Sequence, residues 1–237
     1  MLVVGGAHGL TGAARLAARA AFRADAGYVA VAVPEGSLPV VEATLLEPVK
    51  LVWADAGRAA EKAGALAIGP GLGRDVAAQE LRDELLAAGT HALVLDADAL
   101  HELEPGEWGS RAVLTPHTGE LGRLLGESSA WVDAHRLEAA RRCAERFGCV
   151  CLLKGADTIV VAPGEGVLVS LAEAPGLASA GTGDVLTGIL AAFLAKGLEP
   201  RVAAAAAATA HGLAARSLPQ RGLIASDIVS ALPGVLG

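Results

Sequence analysis

The chain has 237 residues, 53% of them hydrophobic but only 3% aromatic, with a formal net charge of −7. That length can bury one substantial core, built from Ala, Val and Leu at close helix–sheet distances. The acids are interspersed and no Lys/Arg stripe could neutralise a phosphate backbone, so nucleic acid is not an expected partner.

Apolar strand-like runs alternate with Ala/Leu/Arg-rich helical stretches along the chain. Strands are expected at Leu2 to Val4, Tyr28 to Val33, Leu51 to Trp53, Leu66 to Ile68, Ala92 to Leu95, Ala112 to Leu114, Val150 to Leu153 and Thr158 to Val161. Helices are expected at Gly12 to Ala26, Val76 to Ala88, Leu121 to Leu125, Ala134 to Phe147, Val185 to Lys196 and Ala203 to Leu218, with a short one from about Ser226. Alternation of this kind predicts a mostly parallel sheet with helices on both faces. No repeat, linker or composition shift divides the chain, so one domain over 1–237 is expected. The Ala-rich stretch from Ala203 to Ala215 is too short and too weakly hydrophobic for a membrane span. No charged leader precedes the first strand, and export is not expected. Cys143, Cys149 and Cys151 lack zinc-ligand spacing and read as buried free thiols, consistent with a reducing cytoplasm.

In open parallel sheets ligands sit beyond the C-terminal strand ends, and the informative residues fall in those loops. Gly181-Thr182-Gly183-Asp184 precedes a long apolar helix. Its glycines would let backbone amides approach a phosphate, and Asp184 could take a proton from a hydroxyl; a plain turn capped by Asp184 is the competing reading. Gly69-Pro70-Gly71-Leu72-Gly73 can form a tight post-strand turn that meets a ligand or simply joins strand to helix. Asp96 and Asp98 could point two carboxylates to one side for hydrated Mg²⁺ or ligand hydroxyls, or cap a helix. His117 can hydrogen-bond a polar ligand or remain merely solvated, and Glu120 is as readily a helix-dipole residue as a site residue. Lys154-Gly155 closes a strand with one cation beside flexible positions.

These blocks together carry a resemblance. Pro175-Gly176-Leu177-Ala178-Ser179-Ala180-Gly181-Thr182-Gly183-Asp184 resembles the signature of the NAD(P)H-hydrate dehydratase family, within the ribokinase-like superfamily. Thr115-Pro116-His117-Thr118-Gly119-Glu120 resembles a segment of the dehydratases that ordinary sugar kinases do not carry in this form. Ile68 to Gly73, Leu95 to Leu100 and Leu153 to Thr158 follow in the family's order, and Gly5 to Ala14 resembles its first glycine loop. Ala174 departs from the pattern, standing where the family has a polar Asn, and a Lys-Gly-containing segment usual before the first strand is not seen.

The resemblance implies a ribokinase-like three-layer α/β/α sandwich. It implies that ADP or ATP, with Mg²⁺, phosphorylates the C6 hydroxyl of the S form of NADH or NADPH hydrate, after which phosphate leaves and the double bond is restored. Asp184 would be the catalytic base. Ala13, Gly71, His117 and Asp184 would contact the hydrated cofactor, small residues at Ala13 and Gly71 leaving room for the dinucleotide. Lys154, Gly155, Ala156, Asp157, Thr158, Gly181 and Gly183 would bind the nucleotide. The metal ligands stay unassigned, and a cytoplasmic homo-oligomer is expected. Two rivals remain open: a kinase that releases a stable phosphorylated metabolite, and a nucleotide-binding module without turnover.

Overall fold

The computed structural model describes residues 1–89, 91–171 and 174–237. Nine strands form one sheet: β1 (Leu2–Val4), β2 (Ala30–Val33), β3 (Val49–Val52), β4 (Ala65–Ile68), β5 (Ala92–Leu95), β6 (Ala112–Leu114), β7 (Val150–Leu153), β8 (Thr158–Val161) and β9 (Leu168–Ser170). Their spatial order is β3-β2-β1-β4-β5-β6-β7-β8-β9. Every pairing from β3 through β7 is parallel, and β8 and β9 add an antiparallel edge.

Alternation within strands explains why the sheet is covered on both faces. In β1, Val3 joins one core while Leu2 and Val4 join the other; in β4, Ala65 and Ala67 face one side and Leu66 and Ile68 the opposite. The first core receives α1 (Thr11–Arg23), α2 (Leu38–Thr44), α8 (Thr182–Ala195), α9 (Pro200–Arg216) and α10 (Ala225–Leu236). The second receives α3 (Ala56–Ala60), α4 (Val76–Ala87), α5 (Thr118–Leu125), α6 (Ser129–Ala134) and α7 (Arg136–Phe147). This is the expected three-layer sandwich. The small side chains serve close approach: a Cβ on Gly188 of α8 would run into the Ala17 carbonyl of α1. No helix among the described residues is long and apolar enough to cross a membrane. All three cysteines are buried and free.

Chain order reverses direction across the sheet at β1, which lies between β2 and β4. The loops leaving β1 and β4 therefore diverge to opposite faces and open a crevice at their C-terminal ends. The two loops are nevertheless stitched together: Gly6 N–H donates to the Pro70 carbonyl at 3.0 Å and Ala7 N–H to the Gly71 carbonyl at 2.7 Å.

Candidate functional site

Beyond that edge, the loops after β1, β4, β5, β6 and β7 converge on the start of α8. Gly181 is the N-cap of α8 and adopts the left-handed conformation, φ +86°, which a side-chain-bearing residue seldom tolerates. The turn is braced from below, because the Thr182 hydroxyl lies 2.7 Å from the Leu177 carbonyl and 2.9 Å from that of Ser179. Asp184 falls in the first turn of α8, among amides that point outward unpaired. Burial raises its pKa to about 7, with the Asp96 carboxylate pushing the same way, Lys154 opposing and Asp98 adding a little. Asp184 does not cap its helix: among the described residues its carboxyl makes no hydrogen bond or ion pair. The capping alternative therefore fails on geometry.

The polar groups around Asp184 are firmly held. Asp96, 1% exposed at the end of β5, accepts from Lys154 Nζ at 2.7 Å on Oδ1 and from the Thr187 hydroxyl at 2.7 Å on Oδ2. Burial alone would raise the Asp96 pKa, but the Lys154 charge and the hydrogen bonds from Lys154, Thr187 and Thr115 outweigh it and hold it low. Lys154 shows the mirror image: burial lowers its pKa, and the Asp96 and Glu120 carboxylates carry it above the usual value. Glu120 Oε2 is 3.7 Å from Nζ. The two aspartates do not act as a pair. Asp98 turns instead to the β4 loop, where Oδ2 accepts from Gly73 N–H at 3.0 Å and Oδ1 meets Arg74 Nε at 2.7 Å.

His117 has a structural task that its sequence context concealed. It is the N-cap of α5: Nδ1 accepts from Gly119 N–H at 3.0 Å and Glu120 N–H at 3.3 Å, and Glu120 Oε2 accepts from His117 N–H at 2.8 Å in a capping box. The cap places the ring proton on Nε2, and the ring stays more than half exposed. Gly71, φ +62°, is required by its neighbours rather than by open space. A Cβ there would lie 2.5 Å from the Leu10 carbonyl oxygen and 3.2 Å from the Ala13 Cβ. Ala13 and Gly71 thus touch at the β1/β4 crevice, but a Gly71→Val change would also displace backbone and is no clean probe of ligand space.

The loop after β7 lies on the opposite side of Lys154. Asp157 is pinned by Arg136 from α7, whose Nη donates to the Asp157 carbonyl at 2.7 Å and whose Nε lies 3.1 Å from Oδ1. Gly155, Ala156 and Thr158 line a 460 Å³ pocket closed by Ala174, Pro175, Leu177, Leu186, Ala208 and His211. The strand-end region thus holds two separate features, the β1/β4 crevice and this apolar pocket, whose wall includes Leu186, two residues beyond Asp184 on α8. Ala174, facing the pocket in place of a polar side chain, keeps that wall apolar. Sequence reasoning missed Thr187, Arg136 and His211. Thr187 and Arg136 carry no local signal, but His211 is a solitary ring on an alanine helix face.

A nine-strand α/β/α sandwich with an acid-bearing glycine turn at the head of a central helix defines a ribokinase-like fold. The family model described as NAD(P)H-hydrate dehydratase matches residues 1–233, and the chain belongs to that family. The chain is 42% identical over 259 residues to the bifunctional NAD(P)H-hydrate repair enzyme Nnr of Moorella thermoacetica, covering 100% of this chain and 49% of that protein. It is 36% identical over 244 residues to the ADP-dependent (S)-NAD(P)H-hydrate dehydratase of Neisseria meningitidis serogroup B, covering 98% and 82%. The ADP/ATP-dependent NAD(P)H-hydrate dehydratase of Bacillus subtilis, co-crystallised with ATP/Mg²⁺ and soaked with CoA, superposes with a TM-score of 0.89 at 29% identity, covering 99% and 90%. The chain spans about half the length of the bifunctional relatives it matches.

Proposed function

We propose that this chain dehydrates the S form of NADH or NADPH hydrate at the expense of ADP or ATP, returning the reduced cofactor and free phosphate. The observation that carries the reading is Asp184: a partly buried carboxyl without a hydrogen-bond or ion-pair partner among the described residues, its pKa pushed up to about 7 by burial, in the first turn of a helix headed by a left-handed glycine. A general base works best when its pKa lies near the operating pH. Asp184 takes the proton of the C6 hydroxyl as that oxygen attacks the terminal phosphorus. Gly181, Gly183 and the amides of the α8 N-terminus stabilise the charge on the phosphoryl oxygens. Hydroxide is a poor leaving group and phosphate a good one, so the phosphorylated hydrate loses phosphate and regains the ring double bond.

The hydrated ring occupies the β1/β4 crevice, against Ala13, Gly71 and the exposed edge of His117. Lys154 to Thr158 with the apolar pocket receive the nucleotide. Lys154 does not reach outward as a free phosphate ligand; its ammonium is held by Asp96 and lies beside Gly183, where an added Cβ would be 3.5 Å from Nζ. Mg²⁺ would neutralise phosphate charge. No cluster of three metal-ligating side chains exists among the described residues, so the ion would be carried mainly by the phosphates. The buried thiols support a reducing cytoplasm.

Incubation with NADH hydrate, ADP or ATP and Mg²⁺ tests the proposal through the absorbance of restored dihydronicotinamide and released phosphate. A stable phosphorylated product would make the chain a small-metabolite kinase instead, and nucleotide binding without turnover would make it a binding module.

A further inference from the structure

The segment after β5 carries both Asp96 and Asp98, and its backbone is strained. Among the described residues three that are not glycine have positive φ, and two of them, Ala97 at +50° and Glu102 at +49°, bracket this turn. Residues with side chains adopt that conformation at a cost and keep it only where their surroundings hold them. One hold is the site itself: Asp96 is fixed by Lys154 and Thr187, and Asp98 by Gly73 and Arg74 of the β4 loop. The β4 loop also presses on the turn from the front, since a Cβ on Gly69 would collide with the Asp96 carbonyl.

The second hold comes from Arg82, in α4, on the opposite face of the sheet from α8. Arg82 is 4% exposed and shares the buried side of its helix with Ala78, Leu85 and Leu86. A guanidinium in that company is costly unless its donors are used, and an apolar side chain of similar volume would fill the space without the cost. The donors are spent on the turn. Nη1 donates to the His101 carbonyl at 2.6 Å and lies 3.4 Å from the Ala99 carbonyl, while Nε meets Asp83 Oδ1 at 2.8 Å. These carbonyls end the turn, where a helix leaves its last acceptors unpaired. We propose that Arg82 is a positioning residue for the reaction, clamping segment 97–102 from behind so that Asp96 and Asp98 stay on the strand-end groups they hold. The inference rests on the strand-end reading above and adds a residue that touches neither substrate.

Arg82 also lines a 640 Å³ pocket between α4 and segment 102–108, through which a small cation can reach the place its side chain would vacate. Arg82→Ala should lower kcat with NADH hydrate by about a hundredfold, as small misplacements in a site do, while the KM for the hydrate and the affinity for ADP change little. Millimolar guanidinium ion should restore part of kcat, and tetramethylammonium, which has the charge without the donors, should not. A second readout needs no substrate: the Gly73 amide, which donates to Asp98, should exchange its hydrogen faster in Arg82→Ala relative to the amides within β4, and guanidinium should slow it again. Should Arg82→Ala not fold, Arg82→Lys decides, because it keeps a point charge and loses the planar fork; it should show the same selective loss at Gly73. Lower stability with kcat and Gly73 protection both unchanged would make Arg82 an ordinary structural residue and overturn the proposal. Equal recovery with tetramethylammonium would overturn it as well. Absence of turnover in the unmodified protein would remove the dehydratase reading, whereas the exchange at Gly73 would still uphold or overturn the hold of Arg82 on the turn.

Discussion

Asp184, as the proposed base, would couple turnover to pH through its surroundings. Because the folded protein holds its proton more tightly than the unfolded chain does, the stabilisation from this group is full below the unfolded value of about 4 and is lost as pH rises to about 7. Asp184→Asn should therefore flatten the loss of stability between those limits, seen in melting temperatures taken across the pH range. It should also cut turnover by about a hundredfold to ten-thousandfold while ADP affinity changes little, since the amide keeps the shape and loses the base. Near-normal turnover would return Asp184 to a purely structural role. In the unmodified enzyme, kcat/KM should climb with pH to an inflection near 7 as the base ionises. Lys154→Met should move that inflection to higher pH, because the cation that opposes the rise of Asp184 is gone. It should also cost about 3–5 kcal/mol, since Asp96 is left buried with an uncompensated charge. An unshifted inflection in Lys154→Met would show that the two groups are not coupled. The candidate base was legible in the sequence because Gly-x-Gly-Asp is local. Its control was not: Asp96 is 58 residues from Lys154 and 91 from Thr187, and no spacing rule reaches that far.

Elements were legible where the pattern was long and unbroken. β1, β5, β6, β7 and β8 begin and end where their apolar runs do. α5 begins at Thr118, three residues before the expected Leu121, since its cap is a histidine and not one of the short polar residues that usually mark a helix start. α8 likewise begins at Thr182 rather than Val185, the glycines concealing the first turn. α2 was not anticipated: its Leu-Pro-Val-Val start has weak helix propensity, and the helix is held by burial of Val41 and by a proline tolerated at its N-terminus. α3, α6 and β9 are too short to show a period, and β9 pairs only as the outer strand of an antiparallel edge. Tight packing is the other property of these elements. Gly188 lets α8 press on α1, so Gly188→Ala should destabilise the protein by about 1–3 kcal/mol in chemical denaturation, through a forced separation of the helices. An alanine accepted at no cost would mean that the two helices are free to slide.

At the scale of the whole molecule, the sheet acts as a ruler that brings distant loops to one edge. Parallel strands in the order β1-β4-β5-β6-β7 set Gly71, Asp98, His117 and Lys154 side by side although they are spread over more than eighty residues of sequence. That convergence could be anticipated from the succession of strand-ending motifs, whereas the division into an apolar pocket and a separate crevice could not, because it depends on α9 and the 174–178 segment folding over β7 and β8. A ligand that bridges both sides of this edge should tighten it as a unit. Saturating ADP at about a hundred times its dissociation constant should add about 2.7 kcal/mol to the stability of the native protein. The amides protected from hydrogen exchange should be those of Lys154 to Thr158 and of the α8 head from Gly181 to Asp184, the backbones proposed to meet the nucleotide. The α2 and α3 amides, at the far β2–β3 edge of the sheet, should slow only as much as the global stability rises. Protection of 154–158 without any at 181–184 would mean that the base is held but the phosphates are not delivered to Asp184. Protection spread evenly over all helices would mean that nucleotide stabilises the fold without meeting this edge, and the division of labour between pocket and crevice would fall.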